Sequence, residues 1–130
     1  MSTQKKTVLI ADNQLRWREF AKNRLADDYR VETVNDCESV IARIKQGGVD
    51  LLVLDFLMPG EEPFGTGYDV ALHLRRELPK LPVIFYTSAW FDQNPDRQDL
   101  EKKTGTTVVF KEVRDPKLDD LKTRVQELLG

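Results

Sequence analysis

Five short apolar runs, rich in β-branched residues, alternate along the chain with longer segments whose apolar residues keep helical spacing. The runs are TVLIA (7–11), YRVETV (29–34), VDLLVLD (49–55), LPVIFYT (81–87) and TTVVF (106–110). Between the first two runs, Trp17, Phe20, Ala21 and Leu25 fall on one helix face. Cys37, Val40, Ile41 and Ile44 form a second stripe, and Val70, Ala71, Leu74 and Leu78 a third. Leu118, Leu121, Val125, Leu128 and Leu129 form the last. Strands alternating with helices require βαβ crossovers, and so a mostly parallel sheet. Right-handed crossovers with helices on both faces leave few arrangements. The expected fold is α/β: a doubly wound, five-stranded parallel sheet in order 2-1-3-4-5, the flavodoxin-like (βα)5 architecture. The third run is apolar at four successive positions, LLVL, as suits a central strand buried on both faces.

Punctuation agrees with these elements. Gly47-Gly48 should close the second helix. Asn94-Pro95 should open a mostly polar fourth helix, and Asp115-Pro116 the fifth. A length of 130 residues suits one domain over 1–130 and is too short for two ordinary ones. With 40% hydrophobic and 32% charged residues, disorder is not expected. Twenty basic against 22 acidic side chains give no footprint for direct nucleic-acid binding. No apolar run is long enough to span a membrane. The N-terminal residues do not read as a signal peptide, and the single cysteine, Cys37, excludes an intrachain disulfide, so a reducing cytoplasm is expected. A single histidine, His73, excludes every two-histidine metal site.

In an open α/β sheet, ligands bind beyond the carboxyl ends of the strands, where the strand order reverses. The first strand delivers Asp12 and Asn13 there, the third Asp55, the fourth Thr87 and Ser88, and the fifth Lys111. Two carboxylates brought together are costly unless a cation sits between them. Hard oxygen ligands without Cys or His favour Mg²⁺ (or Mn²⁺) over zinc. Lys111 and Thr87 can hold a phosphoryl group as a point charge and a hydrogen-bond donor. A carboxylate so placed can act as a nucleophile and form an aspartyl phosphate.

These residues resemble the receiver domain of two-component response regulators. ADN after the first strand, LLVLDFLMP at the third, FYTS at the fourth and VVFK at the fifth carry the likeness, which covers essentially the whole chain. The resemblance implies that Asp55 accepts a phosphoryl group from a phosphohistidine of a sensor histidine kinase or histidine phosphotransfer protein. It implies Mg²⁺ held by Asp12, Asp55 and the backbone carbonyl of Leu57, with Asn13 acting through a water. Thr87 becomes the switch hydroxyl and Lys111 the phosphate-binding lysine. The face made by the fourth helix, fifth strand and fifth helix would then bind an effector domain or partner protein, and a homodimer is a further candidate assembly.

Four departures from the family pattern bear on function. Asn13 stands where a second acid is usual, which removes a negative charge and weakens the expected hold on Mg²⁺. Glu112 follows the lysine where proline is usual; a cis bond before a non-proline residue costs about 2.5–4 kcal/mol, so a trans bond is expected. Val108 replaces the usual switch aromatic. The loop PGEEPFGTG (59–67) is longer than usual and is expected to bring Glu61 and Glu62 near the site.

Taken singly, each of these residues has an ordinary use. Asp55 can cap a turn, and Asp12-Asn13 can cap the first helix, a role expected here beside metal binding. Lys111 can be a solvated lysine and Thr87 a strand residue. His73 reads as a helix-surface histidine, Cys37 as a packing residue, and Trp17 as part of an apolar face. Trp90-Phe91 are core anchors or a partner patch. Apolar Leu57 and Ala89 are expected to flank the acyl phosphate and slow its hydrolysis. The main alternative is a pseudo-receiver, an interaction module without regulated phosphorylation, which Asn13, Val108 and Glu112 favour. A flavodoxin-like carrier would need a Ser/Thr/Gly-rich phosphate loop where NQLRWRE stands. A haloacid-dehalogenase-like phosphatase would need an aspartate at position 57. The chain is therefore expected to catalyse only its own phosphorylation and dephosphorylation.

Overall fold

A computed structural model describes residues 5–87, 97–111 and 120–130. The chain runs β1 (Thr7–Ala11), α1 (Leu15–Leu25), β2 (Arg30–Val34), α2 (Cys37–Lys45), β3 (Leu51–Leu54), α3 (Gly67–Glu77), β4 (Val83–Thr87), α4 (Arg97–Thr104), β5 (Thr107–Phe110) and α5 (Asp120–Leu129). All four strand pairings are parallel, and the order is β2-β1-β3-β4-β5. The expected architecture is therefore the observed one. Ser88, Ala89, Trp90, Phe91, the Asn94-Pro95 and Asp115-Pro116 helix starts, Glu112 and Leu118 lie outside the described residues.

The sheet sorts its side chains by the period of two that extended backbone imposes. Leu9, Ala11, Leu52, Leu54, Val83, Phe85 and Val108 face one layer, which α2, α3 and Leu100 of α4 cover. Val8, Ile10, Leu51, Val53, Ile84, Tyr86 and Val109 face the other, against α1 and α5. β3 is buried at all four positions, as its unbroken apolar run requires of a strand covered on both faces.

Some boundaries are tighter than the sequence runs. The ladder of β4 begins at Val83 because Pro82 has no N–H; its carbonyl instead accepts from Leu52 N at 3.0 Å. Before β3, Asp50 turns its carboxylate to the Thr7 N–H at 2.7 Å. The helical stripes are buried at their centres and open at their ends, with Leu78 and Leu128 exposed.

Helix ends follow local chemistry. Asp36 caps α2 by accepting from Ser39 N at 2.8 Å. Gly47 takes φ 81° just past α2 and donates to Ile44 O at 3.0 Å, the closing role expected of it. Cys37, at the start of α2, is fully buried against Met58, and burial pushes its thiol up to about 12, so it packs and does not react. His73 sits half-exposed on α3, edge-on to Phe64 at 5.1 Å.

The two sheet edges differ. Outer strand β2 is only partly buried and carries Glu32 in an ion pair with Arg43 of α2 at 2.6 Å. At the other edge, the Val108 N–H donates to Glu101 Oε2 of α4 at 2.8 Å.

Phe85 lies fully buried at the centre of the larger core layer. Phe85→Ala is expected to cost about 3–5 kcal/mol through lost transfer energy and a residual cavity. Urea unfolding read at the midpoint checks this, with an unchanged denaturant slope showing that the fold survives.

Candidate functional site

The parity that sorts the core also builds the site. Asp12 lies two residues beyond Ile10, Asp55 two beyond Val53, and Lys111 two beyond Val109, so all three continue the face that packs against α1 and α5. Backbone bonds extend the ladders out to these residues. Asp12 N donates to Val34 O at 3.2 Å, Asp55 N to Ala11 O at 2.9 Å, and Lys111 N to Thr87 O at 2.6 Å. Thr87 ends β4, almost fully buried, on the opposite parity with Phe85.

The side chains meet. Lys111 Nζ lies 2.5 Å from Asp12 Oδ2 and 3.7 Å from Asp55 Oδ1, and all three side chains are at most 10% exposed. Two carboxylates and one ammonium leave one negative charge in a region where water cannot screen it. Burial pushes the Asp55 carboxyl above the usual carboxylate range; Lys111 pulls it back, Asp12 raises it further, and the Leu57 N–H donated to the carboxylate opposes the rise.

The main chain around Asp55 is packed to contact. Met58 N donates to Asp55 O at 3.2 Å, and Gly67 N to Phe56 O at 3.0 Å. A Cβ on Gly67 would collide with the Asp55 carbonyl, so only glycine lets α3 begin this close to the end of β3. α3 also starts on Asp69, whose carboxylate accepts from Gly65 N at 3.0 Å and Thr66 N at 3.1 Å.

Hard oxygen donors with an uncompensated negative charge suit a small divalent cation such as Mg²⁺. The Leu57 backbone reaches the site through its N–H. Asn13 is exposed beside Asp12. Among the described residues no three Asp, Glu, His or Cys side chains gather. The donor set therefore fits the ion, with fewer charges than a three-acid site would offer.

One expectation is corrected. Asp12-Asn13 does not cap α1: Gln14 is the N-cap and makes no side-chain bond, while Asp12 Oδ1 accepts from Gln14 N at 2.9 Å in a tight turn before the helix. That turn holds the other oxygen toward Lys111. Glu61 and Glu62 are exposed, and Glu61 is drawn to α2, where its N–H donates to Glu38 Oε2 at 3.0 Å. The long loop is thereby anchored on the start of α2, where Cys37 N also donates to Pro59 O at 2.9 Å.

One contact was not legible in the sequence. Lys111 Nζ lies 5.2 Å from the centroid of the Trp17 ring and 5.8 Å from that of Tyr86. Helical spacing marks Trp17 as core, and it does pack there, but its ring also faces the ammonium.

Known proteins resemble this chain in sequence and fold. A model of the response regulator receiver domain matches residues 8–125. A probable cyclic di-GMP phosphodiesterase of Vibrio cholerae is 30% identical over 115 residues, which make up 86% of this chain and 24% of that protein. The probable transcriptional regulatory protein TcrX of Mycobacterium tuberculosis is 32% identical over 83 residues, 63% of this chain and 34% of that protein. The chain thus spans about a quarter and a third of these two curated relatives. The response regulator TrrA of Thermotoga maritima, solved in complex with Mg²⁺-BeF, superposes with a TM-score of 0.76 at 25% identity, covering 95% of this chain and 98% of that one. The receiver domain of NtrX from Brucella abortus superposes with a TM-score of 0.79 at 19% identity, covering 94% and 97%.

The raised carboxyl of Asp55 has a defined linkage to stability. A folded state that holds this proton more tightly than the unfolded chain is most favoured at low pH. That advantage is lost as pH rises from the ordinary carboxylate range through the raised folded value. In chelator, Asp55→Asn is expected to raise the melting temperature at pH 7 by a few degrees and to flatten this decline. Thermal melts of both proteins across pH 4–8 check it; a lower melting temperature for the variant at pH 7 contradicts it.

Proposed function

The chain belongs to the response regulator receiver domain family, and on that premise we propose that it is a working phosphoacceptor whose acceptor is Asp55. The observation that carries this is the buried contact of Lys111 with both Asp12 and Asp55 at the carboxyl ends of adjacent strands. A structural ion pair needs one carboxylate, and a second one desolvated beside it is costly unless it is used.

In this reading, a carboxylate oxygen of Asp55 attacks the phosphorus of a phosphohistidine. The new O–P bond forms as the P–N bond breaks, and the electron pair returns to the imidazole. Burial makes the Asp55 carboxylate a better base than a solvated one, and hence a better nucleophile. Lys111 moves its ammonium from the acids to the incoming phosphoryl oxygens, where negative charge arrives. Thr87, at the end of β4, supplies a hydroxyl to the same group. Asp12, Asp55 and the Leu57 carbonyl would hold Mg²⁺, with Asn13 acting through water. When bound, the ion neutralises phosphoryl charge that one lysine cannot. The Mg²⁺-BeF complex of TrrA supports this assignment.

The donor is a sensor histidine kinase or histidine phosphotransfer protein. The output passes through α4, β5 and α5 to an effector domain or partner, or to a second copy of the chain. Partial coverage of the two curated relatives accords with such an output unit elsewhere. Val108, buried on β5, gives this face no aromatic rotor at the position where the family usually has one. In this reading the reaction takes place in a reducing cytoplasm, which a single cysteine suits. No helix among the described residues is long and apolar enough to cross a membrane. The chain turns over its own acyl phosphate rather than a separate metabolite, and in this reading apolar Leu57, exposed two residues after Asp55, flanks the acyl phosphate and slows attack by water.

The pseudo-receiver reading keeps one observation in its favour: exposed Asn13 in place of an acid. Incubation with acetyl phosphate and Mg²⁺ followed by intact-mass measurement decides between them. One phosphoryl adduct is expected, absent in Asp55→Asn and slowed about 10²-fold in Lys111→Met. A native chain that gains no mass supports the pseudo-receiver.

A further inference from the structure

Resting on the phosphoacceptor reading, we propose that Trp17 is a positioning residue for the reaction, its indole forming with Tyr86 an aromatic wall that keeps the Lys111 ammonium inside the site, within reach of the phosphoryl oxygens. The geometry is specific. Trp17 and Tyr86 stand edge to face, with centroids 6.0 Å apart and planes at 89°. Lys111 Nζ lies within 6 Å of both centroids, at 5.2 and 5.8 Å. Phe20 braces the indole from the next turn of α1, 5.6 Å away at 78°. The lysine side chain is 5% exposed, so its ammonium has lost most of its water and gains fully from ring quadrupoles.

The wall matters because the carboxylates alone do not fix the lysine once the site is in use. A divalent cation on Asp12 and Asp55 takes over the negative charge that draws Lys111 and repels its ammonium. A charged lysine with four rotatable bonds would then swing toward solvent. The rings carry no net charge to be neutralised, so their attraction persists with the ion bound. Lys111 thus remains within reach of the phosphoryl oxygens. Trp17 acts through Lys111 and touches no reacting atom.

The indole also carries Arg16 at 5.1 Å, an exposed cation on the same helix. This supplies a control: Arg16→Gln empties that contact and leaves the lysine in place.

The test follows the rate of the acetyl-phosphate adduct at saturating Mg²⁺. Trp17→Leu, which keeps apolar bulk without a π face, is expected to lower the maximal rate about tenfold with little change in the Mg²⁺ concentration at half-maximal rate. Trp17→Phe should recover much of the rate, and Arg16→Gln should keep all of it. Thermal melts establish that each variant is folded. Independently of the variants, the Lys111 Cε protons of the native chain should resonate upfield of the other lysines in NMR spectra, with Mg²⁺ present as well as absent. A Trp17→Leu protein that phosphorylates at the native rate overturns this inference and leaves Asp55 as acceptor. Unshifted Lys111 protons overturn it too. A native chain that takes up no phosphoryl group overturns the phosphoacceptor reading and this inference together.

Discussion

The pairing of a single ammonium with two carboxylates in a nearly dry hollow sets the terms for the rest of the molecule. Lys111 lies 2.5 Å from Asp12 and 3.7 Å from Asp55. Charges so placed interact far more strongly than on a wet surface, and removing the ammonium would leave two buried carboxylates facing each other without a counter-charge. The sheet must therefore hold three strand ends in fixed register. It does so by carrying its ladder bonds one residue past the regular strands, to Asp12, Asp55 and Lys111. Core packing on both faces of β1 and β3 keeps that register from slipping, since a shift of one residue would turn every apolar side chain to the wrong layer.

Most of this was legible in the sequence, and the reason is periodicity. Alternating runs and stripes forced the βα repeat, and the strand order followed from crossover handedness. With the order in hand, Asp12, Asp55, Thr87 and Lys111 had to lie at neighbouring strand ends. What escaped was the direction in which side chains leave short connections. Asp12-Asn13 carries the letters of a helix cap, yet the chain continues to Gln14 before the helix starts, and the aspartate serves the turn instead. Nothing in the loop after Asp55 announces that Pro59 and Glu61 tie it to the start of α2. Trp17 reads as core by spacing, and nothing in a one-dimensional pattern reveals that a large ring can pack inward and face an ion at once.

Glycine at 67 shows how tightly Asp55 is seated. Its missing side chain lets the first turn of α3 lie against the Asp55 carbonyl, and Asp69 then fastens the preceding loop. Asp55 is thus held by its own backbone from one side and by its ion pair with Lys111 from the other. Side-chain chemistry can change there while the main chain stays still.

The edges of the sheet bear on how such a domain joins others. On β5, the outward Val108 N–H is already engaged by the Glu101 carboxylate, and β2 is studded with Arg30 and Glu32, the latter tied to Arg43. Backbone groups that a foreign strand could zip onto are plugged on one flank and guarded by charge on the other. A strand added at either edge would have to displace that carboxylate or bury those charges, a cost that contact through a helical surface does not carry.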